Sequence, residues 1–174
     1  MAIRPAKCIR DGNKVAWTRY SKKKPRKSYI RTMPHKELHN YRMGTSKDDY
    51  DATYSLVLKD DILILRDNAI ESARQSTNKV LESKMPGNYY FIVRPYPHHV
   101  IRENKMVAGA GADRIQKGMR RSFGKPTDVA ARLKKGQAVF TVYVYKGKAS
   151  EAAVREAFRR AKMKLSGNFS MLSE

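Results

Sequence analysis

The chain has 174 residues, enough for one domain with a real core, and its 37 Lys and Arg against 16 Asp and Glu give a formal net charge of +21. A surplus of that size calls for a polyanionic partner, nucleic acid before all others. A single cysteine, Cys8, excludes an internal disulfide and a cysteine-based zinc cluster, and no apolar run approaches the roughly 20 residues of a spanning helix.

In chain order, residues 1–45 come first, with 13 basic and 2 acidic side chains. They show neither helical nor alternating periodicity, and Pro5, Pro25 and Pro34 interrupt any helix, so the segment reads as largely extended. Aromatic rings (Trp17, Tyr20, Tyr29, Tyr41) are interleaved with the charge. A ring can stack on an unpaired base while neighbouring cations neutralise phosphates. The candidate RNA contacts here are Arg4, Lys7, Arg10, Trp17, Arg19, Tyr20, Lys22, Lys23, Lys24, Arg26, Lys27, Arg31, His35 and Arg42.

Residues 46–102 begin an α+β core, and residues 46–95 are nearly neutral, with 7 basic and 8 acidic side chains. Strands are expected at Ala52–Leu58, Ile62–Leu65 and Tyr89–Arg94. Between them, Asp67 is placed to cap a helix whose apolar face is Ile70, Ala73, Thr77, Val80 and Leu81, ending before Pro86 and Gly87. Residues 127–166 complete the core, with strands at Val129–Leu133 and Ala138–Tyr145 and a helix capped by Ser150. Its apolar face is Val154, Ala157, Phe158, Ala161 and Leu165. Residues 167–174 read as a tail. The whole chain is expected to form one domain, a two-layer α+β sandwich with two main helices packed on a mixed or antiparallel sheet.

Residues 103–126 are too long for an ordinary connection and are read as a functional loop. Ala108, Gly109, Ala110, Gly111 and Ala112 make a tip almost without side chains, which lets backbone approach RNA closely. Asp113 is then expected to cap a short helix through Ile115 and Met119, ended by Gly124, Lys125 and Pro126. Arg120, Arg121 and Lys125 join the candidate RNA contacts.

The strings RPAKCIRD, YIRTMPHKELHNYRMG, VRPYPHHVIRENKM and above all AGADRIQKGMRRSFGKP resemble, in order and over essentially the whole chain, the large-subunit ribosomal proteins called L-ten-e in archaea and eukaryotes. Their bacterial counterpart is L-sixteen. The chain stops soon after its last helix, at Glu174, which resembles the archaeal members. The resemblance implies an α/β-hammerhead fold in the large subunit, between the central protuberance and the stalk base. It implies large-subunit rRNA, the 5S rRNA region, tRNA, neighbouring ribosomal proteins and assembly factors as partners, and a role in late subunit assembly. The loop, here Lys105, Met106, Val107, Ala108, Gly109, Ala110, Gly111, Ala112 and Asp113, would reach toward the peptidyl transferase centre and tRNA.

Other chemistries fit less well. His35 and His39 with His98 and His99 form a metal set by spacing alone, which packed or RNA-facing histidines explain better. Asp48, Asp49, Asp51, Asp60 and Asp61 suit Mg²⁺-dependent RNA cleavage in principle but read as solvated turns around a strand. An RNA-processing or RNA-modifying enzyme is the alternative from another class, discriminated by metal-dependent RNA turnover. Gly109-Ala110-Gly111 lacks the full pattern of a phosphate loop, and no DNA-recognition motif is present. No signal segment opens the chain. The expectation is a cytosolic, ribosomal, non-enzymatic protein without cofactor, catalytic residue, metal, DNA or membrane partner.

Overall fold

The computed structural model describes residues 33–105, 109, 118 and 124–173. Among these residues ten elements follow one another: β1 (Arg42–Gly44), β2 (Ala52–Leu58), β3 (Ile62–Arg66), α1 (Asp67–Lys84), β4 (Tyr89–Val93), β5 (His99–Glu103), β6 (Lys125–Lys134), β7 (Ala138–Val144), α2 (Lys148–Lys162) and β8 (Phe169–Ser173). The class is α+β, as expected. The strands form two antiparallel sheets instead of one, a five-stranded sheet in the order β1-β4-β7-β2-β8 and a three-stranded sheet in the order β3-β6-β5.

Alternation explains which face each strand buries. In β4, Tyr89, Phe91 and Val93 point to the core, and in β7, Phe140, Val142 and Val144 do so opposite them. Phe91 and Phe140 meet edge to face with centroids 5.2 Å apart. Each such side chain stabilises the fold by about 1.5–3 kcal/mol on burial. The helices close this face with the expected residues: Ile70, Ala73, Thr77, Val80 and Leu81 from α1, and Val154, Ala157, Phe158 and Ala161 from α2. One cluster of buried side chains runs through both helices and both sheets, because Leu63, Leu65, Ala131 and Leu133 of the smaller sheet belong to it.

Of the chain's four passages between the sheets, two are short crossings, from β2 to β3 and from β6 to β7. The two crossings are hydrogen-bonded to each other: Leu58 N–H donates to Gln137 O (3.1 Å), Gly136 N–H to Leu58 O (2.9 Å) and Lys135 N–H to Asp61 O (3.0 Å).

Several expectations are corrected. Ser150 does not cap α2, which starts at Lys148 after an extended Gly147; the first bond runs from Glu151 N–H to Gly147 O (2.9 Å). Asp67 is the first residue of α1, not its cap residue, although its carboxylate does accept from Asn68 N–H (2.9 Å) and from Glu37 N–H (2.9 Å). The loop-like region after β4 contains β5. Lys125 and Pro126 do not end a helix but open β6, and Pro126, with no N–H for the ladder, lies where the register slips between Ile101 and Arg102. The short helix expected from Asp113 through Ile115 and Met119 lies outside the described residues, apart from Gly118, whose φ is 58°. Phe169–Ser173, expected within a tail, pairs with β2.

Candidate nucleic-acid interface

The segment from Arg94 to His98 links the two sheets. Its burial alternates: Pro95 and Pro97 are buried, while Arg94, Tyr96 and His98 are exposed. Extended backbone sends successive side chains to opposite sides, and the two proline rings fix φ, so the charged and aromatic groups emerge together. Tyr96 stacks on Tyr41 with centroids 5.6 Å apart and an interplanar angle of 18°, and its ring lies 4.4 Å from that of His98. The Lys36 ammonium donates to the Tyr96 phenol oxygen and lies 4.5 Å from the ring centroid. His35 and His39 lie beside each other on the same incoming segment, 5.8 Å apart.

Arg94 also reaches back over the five-stranded sheet. Its Nε donates to Thr141 Oγ1 (3.0 Å) and its Nη2 to the Tyr143 hydroxyl (2.8 Å), and Tyr143 lies 5.9 Å from Tyr90. These residues share the sheet face turned away from the helices with exposed Arg42, which stands opposite Ile92. Aromatic rings and guanidinium groups on one face can stack on bases and neutralise phosphates.

Charge is organised around the same corner. In the three-stranded sheet, Arg66, Ala130 and His99 lie in one cross-strand row on the face away from the core, with Arg132 two residues along β6 from Ala130. Burial holds the His99 imidazole below its ordinary pKa, helped by the positive charge of Arg132 and by His98. Burial pushes the Asp67 carboxyl upward against the pull of its two backbone donors, and Asp128 adds to the rise. The Tyr41 phenol is pushed up by burial and by Tyr96 and Asp67. Beyond them, a hydrogen bond from the Arg74 guanidinium lowers Glu71.

Of the RNA contacts expected from the sequence, His35, Arg42 and Lys125 are described, all exposed. They are not one patch: Arg42 lies on the edge strand of the larger sheet, and Lys125 opens the middle strand of the smaller one, opposite Glu103. The other expected contacts, from Arg4 to Arg31 together with Arg120 and Arg121, lie outside the described residues. So do Met106, Val107, Ala108, Ala110, Gly111, Ala112 and Asp113 of the loop, whose Lys105 and Gly109 are exposed. Sequence reasoning missed Arg66, Arg94, Tyr96 and Arg132 as candidates, although the alternation in RPYPH carried a readable signal.

Two of the carboxylates weighed as magnesium ligands, Asp60 and Asp61, have partners within the fold. Asp60 accepts from Asn168 N–H (3.0 Å) and Nδ2 (3.1 Å), tying β8 to the first crossing, and Asp61 faces Lys135 at 3.7 Å. Among the described residues no group of three or more His, Cys, Asp or Glu is placed to hold a metal, and no helix is long and apolar enough to cross a membrane.

Residues 17–172 match the family described as Ribosomal protein L16p/L10e. Three curated relatives bear the name large ribosomal subunit protein uL16. That of Methanococcus aeolicus is 46% identical over 166 residues, covering 95% of this chain and 90% of the relative. That of Staphylothermus marinus is 43% identical over 166 residues with the same coverage. That of Natronomonas pharaonis is 39% identical over 171 residues, covering 95% and 91%.

Proposed function

Because the chain belongs to the ribosomal protein L16p/L10e family, we propose that it holds large-subunit rRNA in place through stacked aromatic and guanidinium side chains. It is a structural constituent of the large ribosomal subunit, not an enzyme, and its relatives are archaeal. In the proposed reading it sits near the central protuberance and the stalk base, beside the 5S rRNA region and neighbouring ribosomal proteins. The loop from Lys105 to Asp113 reaches toward the peptidyl transferase centre and supports tRNA positioning, and the protein joins late in assembly, with assembly factors. The basic segment up to Arg42 and the contacts at Arg120, Arg121 and Lys125 neutralise phosphates. The protein positions RNA and contributes no reacting group.

The observation that carries the RNA reading is the Tyr41–Tyr96–His98 cluster, with Tyr96 39% exposed and the Lys36 ammonium at its hydroxyl. A cationic, half-exposed aromatic group suits base stacking beside a phosphate. The test is to fractionate a native lysate on a sucrose gradient at moderate and at high salt while following the endogenous protein. Co-migration with large subunits at moderate salt, with release at high salt, is expected, since phosphate contacts are salt-sensitive. Absence from the subunit fractions at moderate salt would overturn the reading.

A further inference from the structure

Arg66 closes β3 immediately before α1. Leu63 and Leu65 belong to the main core, so alternation turns Ile64 and Arg66 to the opposite face of the three-stranded sheet. The residue is only 6% exposed, yet its buried Nε and Nη2 have no hydrogen-bond partner. These two nitrogens carry the parallel N–H bonds of one edge of the guanidinium, the edge that grips two oxygens of a single oxyanion. A buried cation is normally paired, because removing it from water is costly.

The nearby carboxylates do not supply the partner. Asp67, the next residue, is bonded to the backbone of Glu37 and Asn68. Asp128 stands opposite Ile101, one step along the same face, and makes no bond to the buried fork. Across the sheet from Arg66 lies Ala130, and beyond it His99. Alanine leaves a shallow floor between the two larger side chains. Arg132, exposed and on the same face, adds a cation whose field reaches His99.

We propose that Arg66, with His99 and Arg132 around Ala130, forms a binding site for one backbone phosphate of rRNA. The inference rests on the rRNA-binding reading and gives it a specific oxyanion site. The fork is shut from solvent in the free chain, so the phosphate enters as adjoining side chains part. Half-buried His99 is the nearest large side chain beyond Ala130 in register. A phosphate beside His99 also favours the imidazolium, which adds a second donor.

The test uses the full-length protein and deproteinised large-subunit rRNA, with binding measured from about 50 to about 200 mM salt alongside thermal melting of the free proteins. Arg66→Met is expected to melt at or above the wild-type temperature, since it removes an unpaired buried charge. It should bind about tenfold more weakly at low salt, with the slope of log affinity against log salt shallower by roughly 0.7–0.9, the signature of one lost phosphate. Arg132→Ala is exposed and leaves the core intact, so it decides the matter if Arg66→Met does not fold; a shallower slope is expected there too. A lower melting temperature for Arg66→Met, with Arg132→Ala matching wild type in slope, would make Arg66 a packing residue and overturn the site. Weaker binding of both variants at an unchanged slope would point to a protein carboxylate as partner and would equally overturn it. If wild type binds and both variants match it, only the phosphate site falls; if wild type does not bind rRNA, the broader reading falls with it.

Discussion

Tyr96 owes its exposure to the residues on either side of it. Pro95 and Pro97 are buried and hold the link between the sheets in a form that pushes the tyrosine outward, where Tyr41 supports its ring and Lys36 its hydroxyl. Replacing both Tyr96 and His98 with alanine should weaken rRNA binding by about 1–3 kcal/mol for each stacked base lost. Thermal melting of the free protein should change little, because both side chains lie largely outside the core. Parallel titration and melting curves check this, and a large drop in melting temperature with unaltered affinity would contradict it. The histidines were visible in the sequence, but spacing alone left them as an unconvincing metal set; only the stacking around Tyr96 gives His98 a role. Asp67 was readable as a helix-terminal acceptor. Its bond to Glu37 joins residues 30 apart in the chain, and no local pattern encodes such a contact.

At the scale of elements, the β5–β6 pair is the base on which the long loop stands. Gly124, at its foot, has φ 76°, and a Cβ there would come within 2.6 Å of Glu103 C and 2.9 Å of Asn104 N. Gly136 has a similar φ, 79°, but nothing within 4 Å of such a Cβ. Both alanine variants carry the cost of a left-handed residue, on the order of 1–2 kcal/mol, and only Gly124→Ala adds a backbone clash. Denaturant unfolding should therefore show Gly124→Ala to be less stable than Gly136→Ala by about 1 kcal/mol or more; equal losses would refute the close approach. Such a close approach is invisible to sequence reasoning, as are β5 and β8. His99–Glu103 and Phe169–Ser173 are short, and they become strands because β6 and β2 offer them a ladder. The long periodic segments needed no such help: Ala52–Leu58 and the core face of α1 were legible because their apolar spacing matches one structure only.

Over the whole molecule, the α+β class followed from alternating and helical periods in one chain, whereas the division into two sheets did not. Nothing local at residues 59–61 and 135–137 tells one sheet from two, and it takes tertiary pairing to make them the seam between sheets. Because the two crossings bond to each other, and because one core cluster spans both sheets, neither sheet has a seam along which it can peel away alone. Native-state hydrogen exchange gives this a measurable form. The amides of Leu58 and Gly136, one on each crossing, should exchange only through global unfolding, with the same opening free energy as Val142 in the heart of the larger sheet. Faster exchange at the crossings than at Val142 would reveal two separately opening units. A subunit component built this way keeps the outer faces of its two sheets in fixed mutual register, so a load applied to one side is delivered to the other as displacement of the whole body, with little lost to internal deformation.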